Sequence, residues 1–209
     1  MPMPQRHDEW DAVYLSNHAA RFTRPQAWFE SAIELAAAAE ALSPLVIAWW
    51  DSLKAWQDDK SQIFNEHSYH QIFLMLYAFA IENYCKGTLA GRLDWSDRIA
   101  LQSQGKFPKH MKTHDLFTLT NNIGFAPSLE DEELLRRLTH AAVWTGRYPV
   151  STHFEGTYKV KFSDGKHYHL SYIGRDDVER VRDLADRIRT LVGARVSYRI
   201  SSRRDETGS

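Results

Sequence analysis

A chain of 209 residues with a formal net charge of −1 is too evenly charged to coat nucleic acid by bulk attraction, which leaves only a local basic patch for such a role. Apolar residues make up 43% of it and include seven tryptophans, enough for the core of one large domain, or of one domain with an appendage. The single cysteine, Cys85, excludes an intrachain disulfide; its apolar setting, AIENYCKGTLA, favours an inert core thiol and suits a reducing cytosol.

The opening MPMPQRHDEW has no apolar stretch of the signal-peptide kind, and residues 1–22 read as an N-terminal extension. Thr23 and Gln26 flank Pro25 in the pattern of a helix start. The Ala-rich QAWFESAIELAAAAEAL then carries strong helical propensity. Ser43–Pro44 is expected to restart the helix, with Ser43 as cap and Pro44 as first residue, and Leu45, Trp49, Leu53 and Trp56 recur at helical spacing beyond. From about Ser68 to Leu89 runs the most hydrophobic segment, apolar on nearly every side from Ile72 to Ile81 and so expected to be a central, enclosed helix. That apolar run is too short to cross a bilayer, which takes roughly 20 residues. In its second half Glu82 and Lys86 lie one turn apart, ordered either for an i,i+4 pair or to be held in the bundle against Arg147 or His114. Residues 91–113 are polar and read as a long loop with room for a short helix.

HDLFTLTNNIGF reads as a short helix, with Asp115 at its N-cap and Gly124 just past its end. Ser128 and Asp131 cap the next helix, whose apolar stripe is Leu134, Leu135, Leu138, Ala141 and Ala142 and whose stop is Pro149. The period then changes. Tyr158, Val160 and Phe162 alternate with lysines, and Tyr168, Leu170 and Tyr172 alternate beyond Asp164–Gly165, so a β-hairpin is expected over about 157–173. A last helix sets Val178, Val181, Leu184, Ile188 and Val192 on one face and ends at Gly193, leaving 195–209 as a flexible tail. The arginines of this helix are offset by aspartates and read as a solvated face. The expected fold is mainly α, with one β-hairpin inserted before the last helix.

Chemistry-bearing residues are few. The stretch HAAVWTGRYPVSTH brings Arg147, Tyr148 and Pro149 to the end of a helix, with His153 following Arg147 after five intervening residues. A histidine can activate a 2′-hydroxyl, and an arginine can grip phosphate or stabilise transition-state charge, so this pair suits metal-free RNA cleavage. A plainer reading leaves Arg147 as a favourable cation at a helix C-terminus and His153 in a solvent loop. His114 either positions a neighbouring helix through a hydrogen bond or touches a ligand. His110 and His114 have the spacing of a helical metal pair, but Pro108 and the polar surroundings argue against a helix there. His67 and His70 beside Glu66, and His167 with His169, are no stronger, so no metal site is expected. Lys159, Lys161 and Lys166, interleaved with tyrosines, either contact nucleic acid or protect a strand edge. Glycine-rich phosphate loops, the nucleophile elbow and cysteine pairs are all missing, and no cofactor is expected.

Three pieces in order, AIENYCK, then HDL leading to NNIGF, then a leucine-rich helix running into WTGRYP, resemble the HEPN superfamily over roughly residues 68–153, with the last helix plausible as a further match. The resemblance implies a HEPN-like helical bundle, here over 23–194, that pairs two subunits and works in bacterial defence, toxin–antitoxin systems or regulation. It also implies candidate catalytic roles for Arg147 and His153, which meet the Arg-x(4–6)-His spacing of metal-independent endoribonucleases. The RYP version of the motif, with Tyr148, resembles branches that bind rather than cut. His114, Asp115, Glu82, Lys86 and Tyr148 are then binding or positioning residues. The partners this implies are a second copy in a homodimer, RNA or a nucleotide, and a cognate nucleotidyltransferase-type antitoxin; a cytoplasmic location without membrane contact is expected. A purely structural interaction protein is the alternative that needs none of this chemistry.

Overall fold

The computed structural model describes residues 13–14, 16–17, 19–61, 67–104, 107–145, 159–169 and 174–206, and within these the protein is mainly helical. The elements are α1 (Pro25–Asp58), α2 (His70–Ala90), α3 (Trp95–Gln104), a single 3-10 turn (Lys109–Met111), α4 (Leu116–Asn122), α5 (Leu129–His140) with a π-helical turn (Ala141–Thr145), the short strands β1 (Lys159–Lys161) and β2 (His167–His169), and α6 (Asp177–Glu206).

Helix α2 is the centre. α1 lies along it, and α4, α5, the π turn and α6 all pack against it. Phe73, Leu74, Tyr77, Ala78, Ile81 and Cys85 are buried on its several faces, and between Ile72 and Ile81 only Ile72 is exposed. An all-round apolar helix has this one stable place in a globular fold. The approach of α1 is close enough to need a glycine: a Cβ at Gly87 would stand 2.5 Å from the Phe29 ring and 3.0 Å from Trp28 Cβ. α1 is also the helix among the described residues that is long and apolar enough, by length and composition, to cross a membrane, although the sequence reading weighed only the shorter run in α2.

Several boundaries follow the expected local chemistry. Asp115 caps α4 by accepting from the backbone N–H groups of Phe117 and Thr118. Gly124 ends it at φ 77°, where Gly124 N–H reaches the Asn121 carbonyl and Phe125 N–H reaches that of Thr120. Arg92 donates to the carbonyls of Asn122 and Ile123, satisfying two more acceptors at that helix end. Ser128 and Asp131 form a reciprocal capping box at the start of α5. All five residues of the expected α5 stripe are buried. The helix changes to a π turn at Ala141; its expected stop, Pro149, lies outside the described residues.

Other expectations are corrected. Pro44 does not restart a helix; it sits inside α1. A proline there removes one backbone bond and crowds the Glu40 carbonyl. Yet Ala32, Ala39, Ser43 and Val46 form one buried stripe running through it, and a break would take half of that stripe off the core. Ser43 caps nothing: its hydroxyl accepts from Arg182 Nη2 at 2.6 Å. Thr23 likewise does not cap α1, because its hydroxyl donates back to the Ala19 carbonyl at 3.0 Å. Pro25 stands as the first helical residue. Ala19 and Phe22, upstream of the expected boundary at 23, are buried, with the Phe22 ring edge-on to Trp28 at 5.0 Å.

The polar stretch 91–113 is more ordered than a long loop. Asp94 Oδ1 accepts from Ser96 Oγ and from the Asp97 N–H, which opens α3, and Leu101 and Met111 anchor the stretch as fully buried side chains. Gly193 does not end the last helix, which runs on to Glu206 across most of the expected tail. One glycine costs a helix about 1 kcal/mol, and no proline follows to stop it. Lys159–Lys161 pair antiparallel with His167–His169 around Gly165 at φ 82°; the rest of the 157–173 span lies outside the described residues, apart from the turn itself. Glu132, buried on α5, accepts from the Ser163 N–H at 2.9 Å and from its hydroxyl, tying that turn to the bundle.

The arginines of α6 are not simply a solvated face. Arg182 reaches Glu40 and Ser43 on α1, Arg187 reaches Asp131 on α5, and Asp177 at the head of α6 takes both Nη atoms of Arg137 at 2.7 and 2.9 Å in a buried pair.

Two glycine substitutions test this packing in opposite directions. Gly87→Ala forces the Phe29 ring to move and is expected to destabilise the fold by about 1–3 kcal/mol. Gly193→Ala, in a helix with open space around it, is expected to stabilise by about 0.5–1 kcal/mol. Urea denaturation of the two variants beside the parent reads both; a Gly87→Ala midpoint equal to the parent's would mean that α1 and α2 are not in such close contact.

Candidate functional site

The second half of α2 carries a carboxylate and an ammonium into the core. Glu82 and Lys86 are 7% and 6% exposed, so each needs a partner. Lys86 Nζ donates to Glu82 Oε1 at 2.6 Å, the one-turn pair anticipated from the spacing. The segment entering α4 supplies the second partner: His114 Nδ1 stands 3.1 and 3.0 Å from the two oxygens of Glu82. Asp115, next in sequence, fixes that segment twice. Its N–H donates to Thr113 Oγ1, and its carboxylate caps α4. Leu116 N–H donates to Thr139 Oγ1, which holds the head of α4 onto α5.

The His114 side chain is 56% exposed, and among the described residues its Nε2 has no hydrogen-bond partner. A carboxylate on Nδ1 fixes the imidazole tautomer and ring plane. Nε2 is then an oriented acceptor when the ring is neutral and a donor when it is protonated. The approach to it is cationic. Lys109, His110 and Lys112 are exposed on the preceding 3-10 turn, while Met111 between them is buried and pins the turn.

Of the residues anticipated from sequence, Glu82, Lys86 and His114 therefore meet, and Asp115 serves as the cap that places His114. Arg147, Tyr148 and His153 lie outside the described residues. The chain leads toward them through the π turn Ala141–Thr145, which packs on α2. A π turn in an otherwise α-helical segment frequently marks a functional position.

The remaining histidines separate from this cluster. His110 and His114 do not share a helix, since the 3-10 turn ends at Met111 and α4 begins at Leu116. His167 and His169 lie in β2. Glu66 lies outside the described residues. His70 is a core residue: Trp50 Nε1 donates to its Nδ1 at 3.0 Å, its ring meets those of Trp50 and Phe73 edge-on, and its buried Nε2 has no partner among the described residues. Among the described residues, no group of three or more His, Cys, Asp or Glu is arranged to hold a metal ion. Cys85 is fully buried, and burial pushes its thiol far above the usual range.

Sequence reasoning missed a second polar constellation, on another face of α2. Tyr77 donates its hydroxyl to Glu40 Oε1, and Arg182 binds the same carboxylate with Nε at 2.7 Å and Nη2 at 2.5 Å. These residues come from three helices, and no local spacing joins them.

No family model matches the chain, and comparison with curated proteins and with solved structures returns no match.

Burial lowers the pKa of His70 to about 4; the Asp177 charge opposes this by a smaller amount and the Arg137 charge adds to it. The neutral ring is the folded form, so the unfolded chain binds an extra proton between the ordinary value of 6.5 and about 4. Stability is therefore full above pH 6.5 and falls as the pH drops toward 4, by an amount on the order of 3 kcal/mol at the lower end. Denaturant melts of wild type and His70→Gln between pH 7 and pH 4 are expected to converge as the pH falls. Parallel curves would mean that His70 is not buried neutral.

Proposed function

We propose that this chain is a HEPN-like helical module, including a β-hairpin over about 157–173 before α6, that binds a phosphate-bearing ligand, RNA or a nucleotide, beside His114. The observation that carries the reading is the imidazole held by Glu82 with its Nε2 open to solvent, at the end of an exposed basic segment. Protonated, that ring donates to a phosphate oxygen, and Lys109 and Lys112 add charge attraction. Glu82 is offset by buried Lys86, so the anion meets a neutralised carboxylate. The order of AIENYCK, HDL and WTGRYP along the chain supports the HEPN-like part of the reading. With it go a homodimer, a cytoplasmic place without membrane contact, and a role in bacterial defence, toxin–antitoxin pairing or regulation beside a nucleotidyltransferase-type partner.

A second reading is metal-independent cleavage of RNA by Arg147 and His153, supported by the five residues that separate them in the sequence. In that reading His153 serves as the general base and Arg147 steadies the phosphate charge.

Fluorescence anisotropy with a labelled single-stranded RNA, with ATP as competitor, tests the binding reading. Wild type is expected to bind with an affinity that falls as salt rises. His114→Gln is expected to weaken binding roughly ten- to a hundredfold, the value of one charge-assisted hydrogen bond, with little loss of stability because the ring is exposed. Binding that ignores both salt and His114→Gln would reject the reading, and no binding to either ligand would leave an interaction protein without this chemistry. Incubating the RNA without metal decides between binding and cutting. Products formed by wild type and absent with His153→Ala would select the ribonuclease.

A further inference from the structure

A groove of about 410 Å³ opens between α1, α2 and α6, away from His114, and none of the chemistry above uses it. Its α1 wall is Ile33, Ala36 and Ala37, and its α6 wall is Ala185. The smallness of these alanines leaves the space, because a leucine at any of them would project into it. Its volume falls within the usual range for small-ligand sites.

The polar groups around it differ in how far they are already satisfied. Tyr77, Glu40 and Arg182 close on one another, and Ser43 takes the remaining reach of Arg182, so that end is complete. Tyr84 is different. It lines the groove seven residues along α2 from Tyr77, its residue is only 4% exposed, and among the described residues its hydroxyl has no hydrogen-bond partner. The ring is packed while the hydroxyl reaches the groove, where it is free to donate to an occupant. Arg189 lines the same end of the groove and lies close enough to Tyr84 to act on its hydroxyl electrostatically, as Asp186 does with opposite sign. Among the described residues Arg189 pairs with Asp186 alone, at 3.0 Å, and the two side chains are 61% and 66% exposed. Such a surface pair holds little free energy and yields readily to a better-placed anion.

We propose that this groove is a second binding site, for a small monocarboxylate with a flat apolar body. The carboxylate accepts from the Tyr84 hydroxyl and from Arg189, and the body lies between the alanine walls against the tyrosine rings. One carboxylate can accept from both groups, and its aromatic or otherwise flat body suits a slot walled by methyl groups. The site is independent of the phosphate reading, since its residues and its ligand class are different.

The probe is 2-naphthoate, with 2-naphthamide as the uncharged comparison, each titrated into the full chain by isothermal calorimetry. Wild type is expected to bind naphthoate more tightly than the amide. Ala37→Leu, at an exposed position outside the core, is expected to weaken both probes at least about tenfold by filling the slot. Tyr84→Phe is expected to weaken naphthoate about five- to tenfold through the lost hydroxyl. Arg189→Gln is expected to weaken naphthoate and leave the amide unchanged. RNA titrations of all three variants are expected to match wild type. No heat with naphthoate at about 1 mM, or binding that Ala37→Leu leaves intact, would overturn the site. Equal affinity for acid and amide, together with indifference to Arg189→Gln, would overturn the carboxylate as its ligand.

Discussion

Enclosure of α2 sets a condition on every polar atom that helix carries. Water cannot reach most of its length, so a side-chain donor or acceptor left without a protein partner is costly, and the elements that meet these groups are thereby placed. Near its start, His70 is met by Trp50 of α1. In the middle, the Tyr77 hydroxyl is met by Glu40 of α1, which in turn holds Arg182 of α6. One turn further, Glu82 takes Lys86 from its own helix and His114 from the approach to α4. Apolar contact alone would allow α1, α4 and α6 to slide along α2, because the area they bury changes little with a small shift. The hydrogen bonds fix their register.

The arginines complete that register from outside. Arg137 and Asp177 form a buried, bidentate pair joining α5 to the head of α6. Burial pushes the Asp177 carboxyl up, but hydrogen bonds from Arg137 and the Gly174 N–H, with the nearby guanidinium charges, hold it below the usual carboxylate range. A buried pair adds little net stability over a well-packed apolar contact, since both charges had to leave water. Its effect is on selectivity: any arrangement that separates Arg137 from Asp177 leaves two uncompensated charges in the core. Arg182 with Glu40 and Arg187 with Asp131 do the same, more weakly, at the edges, where solvent screens them.

How far the sequence showed this depends on distance along the chain. The enclosed helix, the Asp115 cap, the Gly124 stop and the Ser128–Asp131 box are read within a few residues, and each is found. Thr23 and Pro44 also carry local signals, but there the signals lose. A buried stripe running through Pro44 outweighs one missing backbone bond, and Thr23 is already bonded to the turn before it. Residues 91–113 contain the short helix that was allowed for, but their order beyond it was hidden, because two fully buried side chains, Leu101 and Met111, are enough to fix a polar segment and composition averages them away. The partners of Tyr77, His70 and Arg182 were out of reach because they lie on other helices, where spacing carries no signal. His114 with Glu82 is the exception among long-range pairs: a carboxylate in so apolar a helix needs a partner in the bundle, and His114 was one of the two offered, Arg147 the other.

Tyr77 and Tyr84 share one face of α2, while Glu82 lies about 140° around the helix from Tyr77 and Lys86 about 180°, at about 3.6 residues per turn. The two polar constellations therefore stand on opposed faces of one rigid element, with the apolar side chains of α2 between them. An enclosed helix cannot rotate to favour one face without unburying the other and breaking the bonds to Trp50, Glu40 and His114 together. Sites separated in this way act independently unless the helix itself moves, because substitutions with no shared partner add. The enclosure of α2 is thus also what keeps its two polar constellations apart, with the Glu82 carboxylate that orients His114 on one side and the Tyr77 and Tyr84 hydroxyls on the other.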